Sequence, residues 1–381
     1  MLELDAPFGV YIHWPYCARI CPYCDFNVYK QKDVDANRWA RALKTDLATA
    51  AARTQGRKLD SIYFGGGTPS LMPPELIADL IEACAGLWGF RDAPEITLEA
   101  NPAAAETALY TTFAAAGVTR LSLGVQSFDD AALRFLGRDH SAEEARAAIE
   151  AANACFEETT FDLIYARPDQ TLATWRTELS EALARAGNHI SLYQLTIEPG
   201  TAFERAEARG AFALPQNETA AAFYEETEDV CTTAGFSAYE VSNHARKGAV
   251  ARHNLLYWRY HDYVGVGPGA HGRMTVDGQK RATLAHLKPD AYLTAVEATG
   301  AGLCEDAALS AAERGVEFLS MGLRLKEGVD LARYEGVAGA ALSENALTMA
   351  AENGLIRRQG DRIAATRRGR LLLNRLLLDL C

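Results

Sequence analysis

Three cysteines fall within eight residues near the start of the chain, in Tyr11-Ile12-His13-Trp14-Pro15-Tyr16-Cys17-Ala18-Arg19-Ile20-Cys21-Pro22-Tyr23-Cys24. A C-x3-C-x2-C loop brings three thiolates to one place, and soft thiolates select zinc, copper(I) or an iron–sulfur cluster. A structural zinc wants four ligands, and His13 is the nearby candidate for the fourth. Strand alternation makes that imidazole an awkward partner for the loop thiols. Three ligands suit a [4Fe–4S] cluster with one open iron, where a substrate or cofactor can bind. Spacing and position favour the cluster over zinc, and zinc over coincidence. Cys84, Cys155, Cys231, Cys304 and Cys381 stand alone and read as small core hydrophobes.

The elements that must position this loop alternate along the chain. Strand patterns at Phe8–His13, Asp60–Phe64, Glu95–Glu99, Arg120–Val125, Phe161–Tyr165 and His189–Leu195 are separated by helical patterns at about 33–54, 74–87, 103–115, 141–155 and 171–186, with another at 216–233. Six βα repeats imply a parallel sheet with helices on its outer face, an α/β fold. Periodicity alone leaves a doubly wound open sheet and a curved, barrel-like sheet both open. In either, the cysteine loop leaves the C-terminal end of the first strand, where parallel α/β folds place their chemistry. From residue 238 to about 275 the chain turns aromatic and Gly-rich. Residues 305–381 read as helices plus a hairpin about Gln359-Gly360-Asp361, ending in a leucine-striped helix from Leu371 to Leu380.

Polar groups recur at the other strand ends. Gly65-Gly66-Gly67-Thr68-Pro69-Ser70 follows the second strand, and its glycines let backbone amides approach a ligand closely. It lacks the Gly-Lys-Ser/Thr ending of a phosphate-binding loop, and a tight strand-to-helix turn is its plain alternative. Glu99 ends the third strand, Gln126 the fourth, and Asp162 lies on the fifth. Singly each reads as a cap or a loop hydrogen bond; in series they would converge on one pocket. Gly265-Val266-Gly267-Pro268-Gly269-Ala270 matches a dinucleotide fingerprint only superficially, having no βαβ setting and a proline inside.

The cysteine loop resembles that of the radical S-adenosylmethionine (SAM) superfamily, and the sequence around it resembles the coproporphyrinogen-dehydrogenase-like branch, over about residues 8–275 and more weakly through the tail. The resemblance implies a partial (βα)6 barrel with a mostly helical, winged-helix-like C-terminal domain. It divides the chain into a radical SAM core over 1–237, a connecting segment over 238–304 and a C-terminal helical domain over 305–381. It also implies that Cys17, Cys21 and Cys24 hold a [4Fe–4S] cluster whose unique iron is chelated by SAM. One-electron reduction then cleaves the sulfonium to methionine and a 5′-deoxyadenosyl radical. Gly66, Gly67 and Thr68, with Tyr11, Tyr23, Glu99, Gln126, Arg138 and Asp162, match positions that bind SAM in such proteins. One departure is Ala166-Arg167-Pro168-Asp169-Gln170, where the branch has Gly-Leu-Pro-x-Gln.

Within the branch, the porphyrinogen decarboxylases carry a further cysteine two residues after the third; here that position is Phe26. His253-Asn254-Leu255-Leu256-Tyr257-Trp258 instead reproduces the HNxxYW motif of the HemW-type haem chaperones. An imidazole suits haem iron, and Tyr257 and Trp258 offer flat surfaces to a porphyrin; a satisfied histidine in an aromatic core is the alternative. The resemblance thus implies a haem chaperone with His253 as haem ligand, acceptor haemoproteins and an electron donor as partners. The second reading is an oxygen-independent coproporphyrinogen III dehydrogenase.

Composition sets outer bounds. With 38 Lys+Arg against 50 Asp+Glu, the net charge of −12 disfavours a general grip on nucleic acid or anionic membrane. Arg357, Arg358, Arg362, Arg367, Arg368, Arg370 and Arg375 make the tail locally basic, which reads first as a solvated face and second as a docking surface. No apolar run reaches the ~20 residues of a membrane-spanning helix, and Met1-Leu2-Glu3-Leu4-Asp5 shows no signal-peptide pattern. The expectation is a cytoplasmic protein without disulfides.

Overall fold

The computed structural model describes residues 5–31 and 34–380. Six parallel strands form its centre: β1 (Phe8–Trp14), β2 (Leu59–Gly66), β3 (Phe90–Ala100), β4 (Arg120–Gln126), β5 (Glu158–Tyr165) and β6 (His189–Gln194). Each pairs with the next in sequence. That order decides between the two sheet forms. A doubly wound sheet reverses direction at a switch point. Here every crossover steps the same way, so right-handed connections put all the helices on one face and the sheet curls as a partial barrel.

The strands alternate strictly. Ile62, Phe64, Ile96, Leu98, Leu121, Leu123, Phe161, Leu163, Ile190 and Leu192 face the helices, none more than 3% exposed. The residues between them, among them Thr97, Glu99, Ser122, Thr160, Asp162 and Ser191, face the interior, as the two-residue strand period requires. Side-chain caps start the crossover helices: Asp35 accepts from Arg38 N–H ahead of Ala36–Arg53, and Ser141 with Glu144 forms a capping box ahead of Ala142–Cys155. The helical pattern at 103–115 is broken into Ala104–Thr107 and Tyr110–Ala115. In the first piece Glu106 is buried and bonded to Ser70 and to Asn101 N–H, so this turn is anchored to the barrel rim.

Residues 237–308 extend both edges of the same sheet. β7 (Asp262–Val266) lies parallel to β1 on its outer side, followed by antiparallel strands His271–Val276, Gln279–Ala285 and Leu303–Ala308. Asn243–Ala245 pairs antiparallel with β6. Between these edges the helix Arg252–Trp258 packs beneath β1, β2 and β7. Its first two N–H groups, of Arg252 and His253, donate to Glu95 at 3.0 and 2.9 Å, and Glu95 is paired with Arg120 at 3.1 Å.

The C-terminal region has a core of its own, built on Phe318, Leu319, Leu323, Val329, Leu347, Ile363 and Leu376. Helices Ala311–Gly322, Leu331–Ala338 and Glu344–Glu352 pack with a three-stranded antiparallel sheet of Val329–Asp330, Ile356–Gln359 and Arg362–Ala365, a winged-helix-like arrangement. The final helix is interrupted, as Arg367–Leu371 and Leu373–Leu380. The basic tail is largely engaged with its own chain. Arg370 and Arg367 pair with Glu228 and Asp229 of the helix Asn217–Thr233, and Arg358 and Arg375 pair with Glu344 and Asp379. Cys84 and Cys231 are buried as expected, Cys155 is half-buried, and Cys304 corrects the reading by standing exposed on an edge strand. Cys381 lies outside the described residues. Among the described residues, no helix is long and apolar enough to cross a membrane.

The Arg120–Glu95 pair gives a direct test of this floor. Arg120→Ala leaves a buried carboxylate short of its cation, which should cost about 3 kcal/mol. Urea unfolding should show a correspondingly lower midpoint; an unchanged midpoint would mean that the pair is dispensable.

Candidate functional site

The cysteine loop leaves β1 and folds back on itself. Tyr29 N–H bonds Pro15 O at 2.7 Å and Gln31 N–H bonds Cys17 O at 2.8 Å, while Thr68 N–H ties Tyr16 O at 2.8 Å to the glycine loop. His13 braces the loop from below. Its Nε2 lies 2.9 Å from the Asn27 carbonyl and must carry the proton, so Nδ1 accepts from Tyr11 OH at 2.9 Å. Both ring nitrogens are therefore committed, and His13 is not free to complete a zinc site. Asn27 in turn donates to Pro268 O and Leu287 O, at 2.9 and 2.8 Å. Gly267 and Gly269 permit this approach. A Cβ on either would come within 2.3 Å of His13 O or 2.5 Å of the Asn27 side chain. Gly265 and Val266 end β7, and Gly267–Ala270 form the turn to the next, antiparallel strand that supports the cysteine loop, without the helix a dinucleotide fingerprint needs.

Above the barrel opens a cavity of about 410 Å³. Cys17, Cys21, Cys24, Tyr23, Gly66, Gly67, Thr68, Glu99, Gln126, Arg138 and Asp162 all line it. Tyr11 lies beneath, its ring stacked on Tyr63 at 6.1 Å. The three thiols are free of disulfides. Burial raises the pKa of Cys17 and pushes that of Cys24 up to about 11, so metal binding must displace protons there. Among the described residues, no three His, Cys, Asp or Glu side chains are drawn together as a site for a metal ion. In a cubane each cysteine binds a different iron, so its thiols need to face one cavity rather than one point. The Arg138 guanidinium stands over this group. It donates to Cys21 Sγ at 3.3 Å, Asn101 Oδ1 at 2.6 Å and Gly124 O at 2.8 Å, and its buried Nε has no protein partner. A fixed cation beside three thiolates offsets their charge, and this donor set fits a cluster better than a fourth-ligand zinc site.

The opposite wall is acidic. Glu99 accepts from Tyr63 OH at 2.8 Å and Gly66 N–H at 3.1 Å. Burial lifts its pKa to about 7 against those bonds, and the Asp162 charge adds to the rise. Burial likewise lifts Asp162 to about 7. Gln126, the last residue of β4, sits at φ 70°, a left-handed backbone, with its side chain at the cavity. At Gly67 a Cβ would lie 2.6 Å from Tyr16 O, so this residue must be glycine for the two loops to meet. At the departure after β5, Ala166 adopts φ 56°, a conformation costing an alanine ~1 kcal/mol. Arg167 turns inward to Glu178 at 2.6 Å and Ser127 Oγ at 2.7 Å, and Gln170 accepts from its N–H at 3.2 Å. The turn is thus closed by polar bonds.

His253 is not brought to this cavity. It is 1% exposed, with Nδ1 at 2.8 Å from Ser61 Oγ and Nε2 at 2.7 Å from Tyr257 OH. In this conformation both ring nitrogens are engaged by hydroxyl groups of the chain itself. Residues not singled out from sequence also line the cavity, notably Tyr63, Asn101, Ser122, Thr160 and Tyr193. The signal for several was the polar–apolar alternation of strands such as Arg120-Leu121-Ser122-Leu123-Gly124-Val125-Gln126.

A glycine loop, a three-cysteine loop and a polar barrel interior define a radical SAM protein, and residues 11–182 match the family model of the radical SAM superfamily. Residues 309–372 match that of the HemN C-terminal domain. The chain is 37% identical to "Heme chaperone HemW" of Haemophilus influenzae and 35% identical to that of Escherichia coli, each over 97% of both chains. It is 39% identical to the mitochondrial "Radical S-adenosyl methionine domain-containing protein 1" of Danio rerio, over 86% of this chain and 75% of that one. In fold it is similar to coproporphyrinogen III oxidase (HemN) of Escherichia coli, with TM-score 0.82 and 22% identity over 98% of this chain and 89% of that chain. The chain belongs to the HemW heme chaperone family of the radical SAM superfamily.

The two raised carboxyl groups carry a pH signature. Both bind protons more tightly folded than unfolded, so they hold more protons in the folded state between pH about 4 and about 7. Their contribution to stability is therefore present below the unfolded pKa and lost as pH rises through the folded one. Asp162→Asn in ligand-free protein should gain about 3 kcal/mol on wild type between pH 5 and pH 8. Urea midpoints at the two pH values measure it, and parallel shifts in both proteins would refute the buried-acid assignment.

Proposed function

We propose that the protein binds one haem and passes it to acceptor apo-haemoproteins, with a [4Fe–4S] cluster on Cys17, Cys21 and Cys24 and an exchangeable SAM in the cavity. The observation that carries this reading is the near-full-length similarity to haem chaperones, with the HNxxYW sequence intact. Phe26 supports it against the decarboxylase reading: this side chain is 61% exposed at the cavity mouth, where the decarboxylases have a further cysteine. Residues 1–237 would act as the radical SAM core, 238–304 as the haem-linked segment and 305–381 as the C-terminal domain.

Each group in the cavity has a task on this reading. Cys17, Cys21 and Cys24 would hold three irons, leaving the fourth for the amino and carboxylate groups of SAM. When bound, this pair supplies one-electron reduction of a sulfonium, and an electron donor must feed it. Arg138 would offset the thiolate charge. Gly66, Gly67 and Thr68 would offer close backbone contacts, while Glu99, Asp162 and Gln126 would receive the polar and cationic parts of SAM, with Tyr23 and Tyr11 supporting the loop. His253 remains the candidate haem ligand, and to act so it must first leave Ser61 and Tyr257.

Anaerobic reconstitution should give a broad brown absorption that Cys17→Ser, Cys21→Ser or Cys24→Ser abolishes, because a hard alkoxide replaces a thiolate poorly. Cys84→Ser and Cys231→Ser should keep it. Haem titration should reach one haem per chain, transferable to an apo-haemoprotein. His253→Ala should weaken haem binding or move its Soret band while the brown absorption stays. An unchanged haem spectrum removes His253 from the site, and catalytic vinyl formation from coproporphyrinogen III would overturn the chaperone reading itself.

A further inference from the structure

The cavity and the HNxxYW helix are built on the same two strands. On β2, Ser61 and Tyr63 face the interior two residues apart; on β3, Glu95 and Glu99 do so four apart. At the upper end Glu99 takes the Tyr63 hydroxyl on Oε1 and the Gly66 amide on Oε2, at 2.8 and 3.1 Å. At the lower end Ser61 meets His253 Nδ1 at 2.8 Å, and Glu95 accepts the amides of Arg252 and His253. Between them stands the Tyr63 ring. It stacks on the His253 imidazole with centroids 5.0 Å apart and planes inclined by 29°. One side chain thus touches both the carboxylate of the cavity and the imidazole of the helix Arg252–Trp258.

We propose that Tyr63 is a positioning residue coupling the two: SAM in the cavity tightens the Tyr63–Glu99 hydrogen bond and, through the stacked ring, holds the helix Arg252–Trp258 closed against the barrel. The proposal rests on the reading of the cavity as the SAM site. Its physical basis is the state of Glu99. In the ligand-free cavity burial keeps this carboxyl partly protonated near neutrality. The sulfonium and ammonium of SAM favour the ionised form, and a carboxylate is a stronger acceptor than a neutral acid. A better-anchored hydroxyl fixes the ring, and the fixed ring fixes His253. Since His253 can reach a haem only after leaving Ser61 and Tyr257, SAM and haem would oppose each other's binding, by the same factor in both directions.

The test is hydrogen exchange of the 252–258 amides in the full-length, cluster-loaded protein, with SAM binding read by calorimetry on the same samples. In wild type, SAM should slow this exchange about tenfold, within the usual range of coupling between sites. Tyr63→Phe keeps the ring and removes the hydroxyl: its exchange should be faster than wild type without ligand, and SAM should bind without slowing it. Ser61→Ala loosens the helix while leaving Glu99 untouched, so its exchange should start faster yet still slow with SAM. A SAM-dependent slowing that persists in Tyr63→Phe, or SAM binding to wild type with no slowing, overturns the coupling. Absence of any SAM heat overturns the cavity reading instead. The ligand-free comparison then decides the coupling alone, with faster exchange in Tyr63→Phe supporting it and unchanged exchange refuting it.

Discussion

Burying a polar group without a partner costs ~1–3 kcal/mol in a protein, and burying a charge costs more. The barrel interior carries Glu95, Arg120, Glu99, Asp162, His189 and His253, so its architecture follows from how each is satisfied. Toward the floor most of these groups have internal partners, although Arg120 Nη1 has none. Arg120 answers Glu95, Glu95 caps the helix that plugs the floor, and Thr160 meets His189 Nδ1 at 2.7 Å. In the upper half that internal pairing is incomplete. Glu99 and Asp162 hold their protons to about pH 7, and Arg138 Nε lacks a protein partner. Near the cysteine loop the cavity thus presents two carboxyl groups and a guanidinium edge to whatever it binds.

Much of this was legible in the chain. Six strand patterns fell on the six central strands because each combines an apolar outer face with a turn signal at its end. The cysteine and glycine loops were readable from the clustering of their residues: three thiols within eight positions and three successive glycines at a strand end. Strand order was not readable, since periodicity reports which face a residue takes and nothing about which strand lies beside it. β7 pairs with β1 across some 250 residues, a contact no local pattern encodes. The same holds for the support of the cysteine loop by Pro268 and Leu287.

Arg167 shows how a departure from a family pattern can be absorbed. A charged residue at a turn beside a barrel suggests disruption, yet the side chain is 7% exposed and reaches Glu178 and Ser127. Glu178 lies on the following crossover helix, Leu172–Arg185, so the pair pins that helix to the turn. The preceding alanine keeps the left-handed backbone a glycine would adopt more cheaply. The local strain is thus held by a buried ion pair one residue away, an arrangement visible only once the helix and the turn are in place together.

The histidine of HNxxYW poses the sharpest conflict between motif and structure. Chemistry makes it attractive as a haem ligand, whereas geometry makes it a keystone of the barrel floor. Both nitrogens are bonded, the ring is stacked, and the backbone amide is held by Glu95. Releasing the ring forfeits two buried hydrogen bonds, each worth ~1 kcal/mol net, besides the stack. The two roles are compatible only if the helix has two positions. Its length favours this: seven residues make two turns, too few to be stable apart from their contacts. Its release would have to give up the bonds to Glu95 and Ser61 and the stack on Tyr63, together with the buried Leu256 and the Tyr257–Tyr263 contact.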